Sequence, residues 1–164
     1  MSEFSTARQK MVDGQVRPSD VTDLRIIDAL LAVREVGPSR FADSWAGVAS
    51  GTPESDDVLV VYLHDPAPAV EVEITSMAGL PEAKLRFETA FQPLQEAMVV
   101  DTRLQADAES LRGRGLSLQT FGIGVDGVEE IGLDHPTDEQ IAHLFATYGP
   151  YLRIDPDVGP ATLL

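Results

Sequence analysis

From Lys84 to Asp155 the apolar residues keep changing their period, and few chain paths satisfy such a pattern. "KLRFETAF" sets Leu85 and Phe87 two apart, as a strand does. Pro93 suits a first helical position, and Leu94, Met98, Leu104, Ala108 and Leu111 mark a long helix after it. Gly113 and Gly115 end that helix. "LSLQTFGIGVDGVEEIGL" alternates on both sides of Asp126-Gly127, which predicts a β-hairpin with those two residues in the turn. Thr137 and Gln140 have capping-box spacing, and Ile141, Leu144, Phe145 and Tyr148 follow on one helix face. Gly149 and Pro150 stop that helix, and "YLRID" reads as a last strand.

The order is strand, helix, strand, strand, helix, strand. This is the ferredoxin-like βαββαβ pattern of an α+β sandwich. "VLVVYL" (58–63) is continuously apolar and β-branched, so it adds one strand. Residues 69–78 alternate weakly, but their length and position favour a short helix. The expected division is an N-terminal helical segment (1–37), a linker (38–57), the ferredoxin-like domain (58–155) and a tail (156–164).

The N-terminal segment should be a helical hairpin. Residues 5–16 form its first helix, closed by Pro18. Thr22 caps the second, Asp23 stands in its first turn, and Leu24, Ile27, Leu30 and Leu31 give the spacing. The second helix should end near Val33, with Gly37-Pro38 as punctuation. "GVASGTPESDD" reads as loop, and Phe41 and Trp45 before it should plug into a core. In the sandwich, Leu94, Met98, Leu104, Leu111, Ile141, Leu144 and Phe145 should cover one sheet face and leave the other open. No internal sequence repeat is apparent.

Charge limits the partners. Twelve Lys and Arg stand against 27 Asp and Glu, a net of -15. Such a surface repels phosphate backbones and anionic lipid heads, so the reading expects neither nucleic acid nor membrane as a partner. Such acidity favours solubility or a cationic partner, and a solvated surface is the plainer reading; the charge does not identify a protein partner. There are no cysteines, which removes disulfides, thiolate metal sites and cysteine nucleophiles. "MSEFSTARQK" is followed by no apolar run, so a cytoplasmic location is the default, or a secreted one if an export signal has been removed.

Gly122, Gly124 and Gly127 spell G-x-G-x-x-G, and they are the weak candidates for cofactor binding. A dinucleotide or methyl-donor site needs a helix opening directly after such glycines, because helix N–H groups hold the phosphates. "VEEIGL" alternates like a strand instead. His64, His135 and His143 lack ligand spacing, so no metal is expected. The acidic pairs Asp56-Asp57, Glu71-Glu73 and Glu129-Glu130 read as solvated edges. Ser44 and Ser117 lack a nucleophile elbow, and no catalytic residue is assigned.

Two stretches resemble known families. Ala7-Arg8, Met11-Val12, Gln15-Val16-Arg17-Pro18, Val21-Thr22-Asp23, Arg25-Ile26-Ile27, Ala29 and Arg34-Glu35 resemble the N-terminus of bacterial protein-L-isoaspartate O-methyltransferases. In that family these helices precede a Rossmann-like S-adenosylmethionine domain. The family's later Gln-Thr-Ile-Ser stretch and Glu-x-Gly-x-Gly strand end have no counterpart here, so no catalytic residue carries over. Residues 41–155 resemble small actinobacterial βαββαβ modules, similar to the pro-domains of chymotrypsin-like bacterial proteases. "VLVVYLHDP", "LQADAESLRGRGLSLQTFGIGVDG" and "TDEQIAHLFATYGPYLRI" carry that likeness. It implies a protein-binding surface and no chemistry, and no cofactor is expected. Two unrelated likenesses in one short chain are what a fused or generated sequence would show. The expected function is a non-catalytic protein-interaction module working through an open sheet face or edge. The alternative is a divergent or truncated methyltransferase relative that uses S-adenosylmethionine.

Overall fold

The structure is a computed structural model that describes residues 11–12, 15–16, 23–52 and 55–159. Met11–Val12 (β1) and Gln15–Val16 (β2) form a two-residue antiparallel pair. These positions therefore depart from the helix expected over 5–16; the rest of that span lies outside the described residues.

Helix α1 (Leu24–Arg40) begins at Asp23, whose carboxylate accepts the Arg25 N–H at 3.0 Å. The cap is thus one residue later than Thr22, which lies outside the described residues. Ile26, Ala29, Val33 and Gly37 are buried along one face. The helix does not end near Val33; it continues through Gly37 and Pro38. A proline deprives a helix of one N–H. Here it stands in the last turn, and the Phe41 N–H still closes onto the Gly37 carbonyl at 3.0 Å.

The expected linker is a strand pair. β3 (Trp45–Thr52) runs antiparallel to β4 (Ser55–Leu63). Helix α2 (Pro68–Ala78) and one 3₁₀ turn (Glu82–Lys84) return the chain to β5 (Leu85–Thr89), parallel to β4. The strand order is β3-β4-β5. Leu59, Val61 and Leu63 face Ile26, Val33, Trp45 and Ile74 in one core. Each fully buried Leu or Ile contributes roughly 1.5–3 kcal/mol.

The second half repeats this path. Helix α3 (Leu94–Gly113) leads to β6 (Leu118–Ile123) and β7 (Glu129–Leu133), an antiparallel hairpin. Helix α4 (Asp138–Tyr148) has the expected Thr137–Gln140 capping box and carries the chain to β8 (Leu152–Asp155), parallel to β7. Leu104, Leu111, Ile131, Leu133, Leu144 and Leu152 make a second core.

The chain is α+β, but the elements from Lys84 to Asp155 do not form one four-stranded sandwich. β5 pairs with β4, and β6, β7 and β8 form their own three-stranded sheet. A strand joined by a short crossover settles beside its predecessor, so α2 returns β5 to the edge of β4. The helices divide accordingly. Leu94 packs on the first core, Leu104, Leu111 and Leu144 on the second. Met98 and Phe145, expected inside, are 53% and 38% exposed. The expected tail is tied down in part: Asp157 bridges Asp134, and the Val158 N–H donates to the Leu133 carbonyl at 3.2 Å.

The two halves match in detail. One constant interval in the sequence separates Pro68–Ala78 from Asp138–Tyr148, Leu63 from Leu133, Pro66 from Pro136 and Gly79 from Gly149. Asp65 and His135, again equivalent, are the described non-glycine residues with positive φ, at 42° and 49°. Both hairpins shift register after their first pair, between Trp45 and Gly47 and between Leu118 and Thr120. The chain is a tandem of two αββαβ units whose likeness lies in geometry more than in residue identity.

Candidate functional site

The units meet where β5 leads into α3. The Ala90 N–H donates to the Leu63 carbonyl at 2.8 Å and holds the end of β5 to its own sheet. The next residue turns to the other unit: the Phe91 N–H donates to the Asp126 carbonyl at 2.9 Å. Gln92 is buried, and its side-chain amide donates to the Gly127 carbonyl at 2.8 Å. These bonds clamp the β6–β7 turn against the chain that joins the units.

The clamp sets two aromatic rings at the surface. Phe91 is 52% exposed and Tyr151 40%, with ring centroids 6.3 Å apart and planes tilted by 49°. Beside them lies a shallow depression of about 340 Å³ whose walls include Tyr62, Arg86, Glu88, Thr89, Phe91 and Asp126. Arg153 donates to Asp126 at 2.7 Å and to Glu130 at 2.6 Å. These two carboxylates raise the pKa of its guanidinium. A second hollow of about 410 Å³ is lined by Arg34, Trp45, Leu94, Ile123 and Val125 among others.

The glycine candidates fall on the hairpin. Gly122 lies in β6 opposite Glu130, and the Gly127 N–H donates to the Gly124 carbonyl at 3.0 Å to close the turn. Strand β7 follows Gly127, and the next helix starts at Asp138. Gly127 has its own structural reason: φ is 79°, and a Cβ there would stand 2.1 Å from the Gln92 carbonyl oxygen. The helix that a phosphate cradle needs directly after the glycines is absent, because strand β7 takes its place.

The other residues singled out in the sequence are dispersed. The His64 ring nitrogen Nδ1 contacts the Ala90 carbonyl at 3.2 Å. His135 pairs with Asp134 at 2.6 Å, and that hydrogen bond raises the imidazole pKa. His143 lines a hollow on α4 with Arg114 and Gln140. Among the described residues no three His, Asp or Glu gather in a way that could hold a metal ion. Ser44 is buried, with its hydroxyl directed at the Phe41 carbonyl.

Glu129 breaks the expectation of a solvated acidic edge. Glu130 is exposed, but Glu129 has no exposed surface at all, and neither of its carboxyl oxygens has a hydrogen-bond partner. Burial pushes its pKa up to about 7, and the Asp101 carboxylate on α3 adds to the rise. Asp101 acts both by its charge and by a side-chain contact, the Gly122 N–H opposes the rise, and the Glu130 charge adds to it. One sign is legible in the chain itself: strict alternation puts Glu129 on the face of Ile131 and Leu133, which point inward.

No family model matches this chain, and no curated protein matches it. Among the described residues no helix is long and apolar enough to cross a membrane.

Proposed function

We propose that this chain is a non-catalytic protein-interaction module that engages a basic protein partner at the seam between its two units. The exposed Phe91–Tyr151 ring pair carries the reading. Two large rings held in water by a clamped backbone are costly unless something covers them. Arg86, Glu88 and Tyr62 beside them supply the polar rim. The net charge of -15 steers a cationic partner toward the chain and sets a salt-dependent association rate. The methyltransferase alternative needs a strand-to-helix turn after the glycines, and a strand follows them here.

A photoreactive phenylalanine at position 91 or 151 tests this. The same adduct should form from both positions, weaken with added salt, and be lost with Glu88→Lys, which puts a cation on the rim that a basic partner must meet. The control is position 72 on α2, where Val72 is 71% exposed. Equal labelling from position 72 would overturn the proposal. So would calorimetric binding of S-adenosylmethionine at micromolar concentration.

A further inference from the structure

The tandem shows what the fold itself requires at position 129. Leu59 opens the parallel β4–β5 ladder opposite Leu85, and Glu129 opens the parallel β7–β8 ladder opposite Leu152. Both are 0% exposed, and both are followed at alternate positions by core residues: Val61 and Leu63 in one unit, Ile131 and Leu133 in the other. The position is an ordinary apolar core site. In the second unit it holds a carboxyl group that no close hydrogen bond satisfies; the polar groups that act on it are the Asp101 carboxyl and the Gly122 N–H. A buried charge without a partner is far costlier than a buried neutral acid, so this group enters the core with its proton on.

We propose that Glu129 is a proton-operated latch of the second unit: protonated, it packs beneath α3 as Leu59 packs beneath α1; ionised, it leaves the core and loosens α3 from β7. Its surroundings favour this behaviour. On α3 the facing acid is Asp101, which accepts the Gln105 amide at 2.6 Å and has no cation beside it among the described residues. Asp107 on α3 is occupied by the Tyr148 hydroxyl of α4 at 2.8 Å, and Arg103 lies over that ring. On β8, Arg153 is committed to Asp126 and Glu130 on the hairpin. β6 contributes no titratable side chain. Among the described residues no cation therefore meets Glu129 when its proton leaves.

The sign follows from the raised pKa. The closed unit holds the proton up to about pH 7, while an open chain releases it near 4.5. Opening should thus become easier through that window, by up to about tenfold per pH unit, and level off above it. Hydrogen exchange of the full chain from pH 4.5 to 8, corrected for intrinsic rates, reads this directly. Protection should fall with pH in β7 and α3 and stay constant in β4 and α1. Glu129→Leu, which installs the residue of the twin position, should abolish the difference; Glu129→Gln serves if that variant does not fold. Equal pH responses in β4 and β7 would overturn the latch, as would an unchanged response in either variant.

Discussion

Gly37 and Trp45 are in contact so close that a Cβ on Gly37 would stand 2.5 Å from the Trp45 ring carbons Cε3 and Cζ3. Helix propensity alone would favour Ala over Gly by about 1 kcal/mol in a helix. The indole is 2% exposed and cannot retreat, so the clash should win. Gly37→Ala is expected to destabilise the first unit by about 2 kcal/mol. Gly113→Ala, where nothing lies within 4 Å, should be neutral or slightly stabilising. Denaturant titration followed by Trp45 fluorescence checks the first, since Trp45 is the single tryptophan.

That contact also explains part of what the sequence hid. Gly37-Pro38 has the look of a helix stop, yet Gly37 is there for the indole. The stretch "GVASGTPESDD" has a linker's composition, yet Gly47 is there because the Val125 carbonyl would stand 2.6 Å from a Cβ. Close packing between units selects the same small residues that loops do. Periodicity is enough for α3, α4 and the β6–β7 hairpin, and spacing for the capping box, because each depends on neighbours in sequence; α2 is legible only from its length and position, since Val70, Val72 and Ile74 alternate as a strand would. Strand partnership depends on which edge is free when each strand arrives, and element order does not contain that. The Phe91–Tyr151 pair joins residues far apart in the chain. Glu129 looked like half of a solvated acidic pair because a charged residue in a core breaks the rule by which cores are read.

Asp23 links the start of α1 to the entry of β5: Lys84 reaches its carboxylate at 2.7 Å, and the same group caps the helix. The Arg25 and Lys84 hydrogen bonds hold its pKa well below the ordinary value of 3.8. A depressed carboxyl pKa contributes stability that is present above the ordinary value and lost as pH falls below it. Asp23→Asn keeps a capping oxygen and removes the charge. Its melting temperature should therefore lie below that of the parent near pH 6, and the gap should narrow steadily as the pH falls below 3.8.

Glu129 carries the opposite sign, so whole-unit stability separates it from Asp23. Native Glu129 binds its proton more tightly than the unfolded chain does, so the second unit should lose stability as pH rises from 4.5 toward 7. The slope attributable to one such proton is about 1.4 kcal/mol per pH unit. Denaturation of the parent and of Glu129→Gln at matched pH isolates it. The variant should gain steadily over the parent across this window and hold a constant advantage above it. A constant difference throughout would mean that the cost of Glu129 is steric.

The three glycines of the hairpin should respond unequally to a single methyl group. At Gly127 the methyl would meet the Gln92 carbonyl oxygen at 2.1 Å, on a backbone with φ of 79°. Both the strain and the clash fall on the clamp between the units, and Gly127→Ala should cost about 3 kcal/mol or more. At Gly124 the nearest atoms are the ends of the Asp126 and Glu130 side chains, which can move, so the cost should be smaller. At Gly122 nothing lies within 4 Å, and alanine suits an extended strand better than glycine does. Gly122→Ala should therefore be neutral or stabilising by up to about 1 kcal/mol. Thermal denaturation of the three variants gives the order, and labelling from position 91 shows whether the seam survives in each. A loss at Gly122 as large as at Gly127 would mean that the three glycines act as one cradle. The ranked response expected here treats them as a turn, a strand position and a packing contact.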